Sequence, residues 1–199
     1  GLQWFFEIGA FSFAVVMIGW LSPEAQAAHQ IGVSLAATTY MISTGISAAT
    51  SVRVANQLGL HNINGVKLAA YTGMLMNILL MTVTTIAYLL LKNKLPELFS
   101  TNKEVIEIAS GLIIIIALFQ ISDGLQSVEL GILRGIKDVK VPTVITFISY
   151  WVIGLPLGYL FGFTLKLNAQ GVWYGLAISL LCASIFLFFR FNSVSYTHL

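Results

Sequence analysis

Long uncharged runs divided by short polar stretches make up nearly all of this chain. Residues 25–52, 68–91, 141–165 and 167–189 contain no Asp, Glu, Lys or Arg over 28, 24, 25 and 23 residues. Two further apolar stretches are interrupted by acids: 1–23 holds Glu7, and 108–135 holds Asp123 and then Glu129 before Arg134. A helix needs about 20 mainly apolar residues to cross a hydrocarbon core of about 30 Å. The pattern therefore predicts six transmembrane helices, at about 1–22, 26–52, 66–91, 105–130, 141–163 and 168–189. None of these stretches carries the broad polar stripe of a helix on a soluble bundle, and none alternates like barrel strands. The expected fold class is an all-α membrane protein, with 1–190 forming one six-helix unit and no linker long enough to separate two domains.

Composition sharpens this reading. Of 199 residues 57% are hydrophobic and 9% charged, with a mean hydropathy of +0.88. Soluble domains carry about 25% charged residues, so this chain lacks the side chains to coat a water-facing surface, and a soluble enzyme is excluded. The net charge of +2 comes without a basic cluster, which argues against nucleic acid as a partner. The lone Cys182 excludes an internal disulfide, and no zinc-ligand spacing or secretory signal is present. Arg53, Lys67, Arg134, Lys137, Lys140 and Arg190 fall on one side of the membrane, and Lys92, Lys94, Lys103 and Lys166 on the other. The positive-inside rule then places both ends in the cytoplasm.

Against this background the acids inside the spans are the conspicuous chemistry. Glu7 lies 14 residues before Leu21, about 21 Å from the outer end, and Asp123 lies about 27 Å inward of Val105. Both fall in the inner half of the membrane. A carboxylate in hydrocarbon costs at least about 2.5–3.5 kcal/mol, so it persists only facing a cavity, paired or protonated. No Lys or Arg lies in a span at that depth, which leaves protons, metal cations or cationic organic molecules as counter-charges. The plainer alternative is that the acids are hydrogen-bonded interface residues, held by Gln3 beside Glu7 or by Gln120 and Ser127 around Asp123. Glu129, nearer the basic turn, is expected to reach water or Arg134.

The second span adds a polar face, Tyr40, Thr44, Ser47 and Ser51, at helical intervals of 4, 3 and 4. It suits either a cavity or hydrogen bonding between helices. Gly154, Gly158 and Gly162 form a small-residue ridge around Pro156, suited to close packing or to bending. Asn77 is an isolated polar residue, and His29 and His61, at span ends, are expected to meet water.

Three motifs resemble one transporter family. Ser51-Val-Arg-Val-Ala-Asn-Gln-Leu-Gly59, with Ala28-His29-Gln30 at the head of the same span, is similar to the eighth helix of the NorM-like branch of the multidrug and toxic compound extrusion (MATE) transporters. Phe119-Gln-Ile-Ser-Asp123-Gly-Leu-Gln126, leading to Leu133-Arg-Gly135 and Asp138, resembles the tenth helix, and Trp151-Val-Ile-Gly-Leu-Pro156-Leu-Gly158 the eleventh. The resemblance implies the C-terminal lobe, helices seven to twelve of twelve, of an antiporter in the inner (plasma) membrane. Such a protein exports cationic drugs or toxic organic compounds in exchange for Na+ or H+. It implies Glu7 and Asp123 as the principal cation, proton or substrate sites, with Na+ among the ions they could hold. Gln3, Tyr40, Thr44, Phe119 and Gln126 are the subsidiary cavity candidates.

Some relatives carry a tyrosine where this chain has Phe119. That change removes an oxygen ligand, although a cation could still meet the ring face. The expected partners are the bilayer, an N-terminal lobe of the same polypeptide and a cationic small molecule. No catalytic residue and no cofactor beyond the coupling ion is expected. The segment 191–199 does not resemble the family's terminus, and Ser193-Val-Ser-Tyr-Thr-His-Leu199 resembles translated adapter sequence, so it is read as a non-native tail.

Two other functions fit less well. A lipid-linked precursor flippase of the same superfamily would need basic residues deep in its cavity. An intramembrane hydrolase would need a His-Glu-x-x-His motif or paired aspartates. The lobe on its own is expected to be inactive, because the substrate pathway needs both halves.

Overall fold

The computed structural model describes residues 2–197; Gly1 and the last two positions of the tail, 198–199, lie outside them. Six helices follow one another, α1 (Leu2–Gly19), α2 (Pro23–Gly59), α3 (Ile63–Leu91), α4 (Lys103–Gly135), α5 (Lys140–Thr164) and α6 (Asn168–Thr197). Among the described residues there is no strand. The last five are long and apolar enough to span a bilayer. With 18 residues, α1 rises about 27 Å, just short of the hydrocarbon thickness. Its exposed Trp4 and Trp20 stand about 24 Å apart along the axis, at the depths where indole rings collect.

Local chemistry sets the helix starts. Ser22 caps α2 by accepting from the Ala25 N–H at 3.0 Å, with Pro23 in the first turn. Asn62 caps α3 through the Gly65 N–H at 2.9 Å, and Asn102 caps α4 through the Glu104 N–H at 3.0 Å. His61, Lys137, Lys166 and Asn168 take left-handed backbone conformations where the chain reverses between helices. Most helices overrun the expected spans, because hydropathy marks only the part in hydrocarbon. The 37 residues of α2 extend about 55 Å, so its polar end around Arg53 and Gln57 projects beyond the apolar layer.

α5 is continuous but not uniformly α-helical. Residues Ile148–Gly154 and Leu160–Thr164 are π-helical, with Leu155 N–H bonding the Tyr150 carbonyl and Leu165 N–H bonding that of Leu160. Pro156 has no N–H to offer, and the wide turn just before it re-routes the backbone bonds. The ridge of Gly154, Gly158 and Gly162 serves close packing: a Cβ on Gly154 would stand 2.6 Å from Ser179 Cβ, and Gly175 of α6 abuts the Gly158 backbone.

The bundle has two apolar clusters with a polar waist between them. One joins α1, α2, α4, α5 and α6 around Tyr150, Trp173, Leu112 and Ile116; the other joins α2, α3, α4 and α6 around Val54, Val66, Leu133 and Phe191. Between them α2 contributes buried Thr39, Ser43 and Ser47, α3 Asn77, and α4 Gln120, Asp123, Gln126 and Ser127. Outward faces are apolar, as on α3, where Leu68, Leu75, Leu79, Val83, Ile86 and Leu90 are exposed. This inside-out pattern belongs to a protein dissolved in lipid. α6 runs past the expected end of its span, and buried Phe191 within the presumed tail packs edge-on against Tyr71.

Candidate functional site

Asp123 of the waist shares a cavity with a second buried acid, Glu7 of α1. Glu7 on α1 and Asp123 on α4, each 8% exposed, line one cavity of about 310 Å³ together with Tyr40 on α2. The Tyr40 hydroxyl is directed at the Glu7 carboxyl and at Ser127. Its walls are otherwise largely apolar, formed by Trp4, Ile8, Phe11, Val15, Val33 and Ala36, a lining suited to an organic cation as much as to an ion. No Lys, Arg or His of the described residues pairs with either acid.

Glu7 and Tyr40 also open onto a larger cavity of about 930 Å³, which runs past Thr44, Ser47 and Ser127 to Arg134 and Lys140 at the α4–α5 turn. Gln3 lines that cavity and donates to the Val139 carbonyl at 3.4 Å. Ser47 donates to the Ser127 carbonyl at 2.6 Å and Thr44 to Met41 at 2.7 Å. The polar face of α2 therefore both lines a cavity and bonds to α4. Ser51, its last member, lies outside both cavities and presents its carbonyl to Gly135.

Four expectations are corrected. Phe119 lines neither cavity and stacks on Trp173, with centroids 5.8 Å apart, because an aromatic ring gains more from the apolar cluster than from a polar waist. Gln126 likewise faces α5, where its Oε1 accepts from the Tyr150 hydroxyl at 3.0 Å. His29 does not meet water: it is wholly buried, and its Nδ1 accepts from Trp173 Nε1 at 3.0 Å. Glu129 is 1% exposed rather than solvated, and lies between α3 and α6 within reach of Ser184, not Arg134. His61 is exposed, as expected.

The hydrogen bonds that fix the waist include one layer the sequence left unassigned. Ser43 donates to Asn77 at 2.8 Å, Gln120 to Thr85 at 2.8 Å, and Thr85 to the Ala117 carbonyl at 2.9 Å. Gln120 is thereby committed to α3, so it does not hold Asp123.

The model of the MatE family matches residues 2–160. This chain belongs to the MatE family. Multidrug resistance protein MdtK of Photorhabdus laumondii is 35% identical over 192 residues, covering 94% of this chain and 42% of that protein. Multidrug resistance protein NorM of Aliivibrio fischeri is 34% identical over 190 residues, covering 94% of this chain and 41% of its own length. A transporter of the MOP superfamily from Pyrococcus furiosus superposes with a TM-score of 0.88 at 19% identity, covering all of this chain and 44% of that one; at that identity the likeness speaks for the fold. The MatE chain thus spans less than half the length of these relatives and is a multi-pass membrane protein of a transporter family. Among its described residues no group of three or more His, Cys, Asp or Glu could hold a metal ion, so Glu7 and Asp123 stand as a pair rather than part of a larger acidic cage.

Proposed function

We propose that this MatE chain is the C-terminal half of an inner-membrane antiporter that exports cationic organic compounds in exchange for Na+ or H+. Glu7 and Asp123 are the residues on which the two fluxes compete. The observation that carries the proposal is the sharing of one cavity by two buried carboxylates, from α1 and α4, beside Tyr40, with no basic partner among the described residues. Each acid requires a positive counter-charge when ionised. A proton or Na+ supplies it in one access state and the organic cation in the other, so binding of one expels the other and rocking of the two lobes alternates access. Tyr40 positions the pair by directing its hydroxyl at Glu7. Both ends of the chain lie on the cytoplasmic side, as the distribution of Lys and Arg favours, and the isolated half transports nothing without the other lobe.

Asp123→Asn in the full-length protein is expected to abolish export of a cationic dye at normal expression. Undiminished export would reject the role. Dye efflux measured with and without Na+ at fixed pH identifies the coupling ion.

A further inference from the structure

Asp123 and Glu129 are six residues apart on α4, about 120° around the helix, so they serve different sides of the bundle. Glu129 lines a third cavity, a groove of about 520 Å³ between α3 and α6. Its walls are Met74, Leu75 and Ile78 on one side and Ile185, Phe188 and Phe189 on the other. Leu75, Ile185 and Phe189 are exposed at its mouth, on the apolar outer surface that meets lipid. Ser184 reaches the Glu129 carboxyl, but Oε2 is buried without any hydrogen-bond partner. The carboxyl lies about 9 Å along the axis from the inner end of α4 at Gly135, within reach of the inner leaflet. A buried acid with an unpartnered oxygen beneath apolar walls lacks a positive group.

We infer that this groove is a bilayer-facing binding site for an alkylammonium cation with a hydrocarbon body, its charged nitrogen on Glu129 and its chain between α3 and α6. The walls suit the chain, and the rings of Phe188 and Phe189 suit the ammonium. A zwitterionic phospholipid fits less well, because its phosphate needs a basic side chain and no Lys or Arg lines the groove. Tyr71 at the rim is committed to Asn192 at 2.8 Å. The site lies apart from the Glu7–Asp123 cavity and does not depend on the transport reading.

Three diazirine photoprobes test this on the full-length protein in phosphatidylcholine vesicles, with crosslinks mapped by mass spectrometry: decylammonium, neutral decanol and phosphatidylethanolamine. Decylammonium is expected to label α3 and α6 around Leu75 and Ile185 saturably. Glu129→Gln should raise its half-saturating concentration at least about ten-fold, as loss of a buried charge partner does, and leave decanol labelling unchanged. Leu75→Trp, a lipid-facing change that fills the mouth, should abolish saturable labelling and decides the matter where Glu129→Gln does not fold. Asp123→Asn should leave labelling intact while export fails, which separates this site from the coupling pair. Decanol or the phospholipid labelling the groove as strongly as decylammonium, or labelling that survives both groove variants, would overturn the assignment.

Discussion

Gly131→Ala adds one methyl group at a close crossing, where α4 lies against α2. A Cβ on Gly131 would press into Ser47 Oγ and stand 2.7 Å from the Ser47 carbonyl oxygen, whereas ordinary contact begins at 3.4 Å. α2 must therefore retreat by about 0.7 Å. The 2.6 Å bond from Ser47 to the Ser127 carbonyl would stretch beyond the usual range for a hydroxyl donor, about 3.0 Å. Overpacking of this kind destabilises by about 1–3 kcal/mol. Gly45→Ala in the same pair of helices is the matched control, since nothing stands within 4 Å of its Cβ. There the helix gains up to about 1 kcal/mol from alanine's propensity. Thermal unfolding of the two full-length variants in detergent should separate them by about 1–4 kcal/mol, in opposite directions from the parent. Equal stability of Gly131→Ala and Gly45→Ala would refute the close approach of α2 and α4 at Gly131.

Tyr40→Phe removes the hydroxyl directed at Glu7 and keeps the ring; dye export should fall about ten-fold or more, as for a lost hydrogen bond to a charged group, with unfolding temperature nearly unchanged. Trp173→Phe leaves buried His29 Nδ1 without its donor and should destabilise by about 1–3 kcal/mol in the same unfolding assay, with an intact coupling site. Asp138→Asn breaks the 2.7 Å pair with Arg190, whose side chain is 31% exposed; the loss should stay under about 1 kcal/mol and shrink at high salt.

The spans and the acid pair were legible because both rest on whether charge is tolerated at a given depth, which a linear sequence records. Absence of charge marked the helices, and its presence marked Glu7 and Asp123. The directions of Phe119, Gln126, His29 and Glu129 were not legible, and the cause is the solvent. In water one face of a helix must be polar, so the sequence reveals which way it turns. In lipid both the outward and the inward faces are apolar, and the rotation of each helix is set by its neighbours. Depth could therefore be read along α4, while azimuth required Trp173, Tyr150 and Ser184, which come from helices far along the chain. Asn77 escaped assignment for the same reason: its partner Ser43 lies on α2.

The wide turns of α5 bear on how this chain can gain or lose residues. A π turn holds one residue more than an α turn, so deleting Val152, an exposed residue inside Ile148–Gly154, would let the helix tighten to ordinary α geometry. The residues on either side would keep their facing. The same deletion in uniformly α-helical α4, between Asp123 and Glu129, would turn everything beyond it by about 100° and carry one acid away from its cavity. Length variation is thus absorbed in α5 and forbidden in α4.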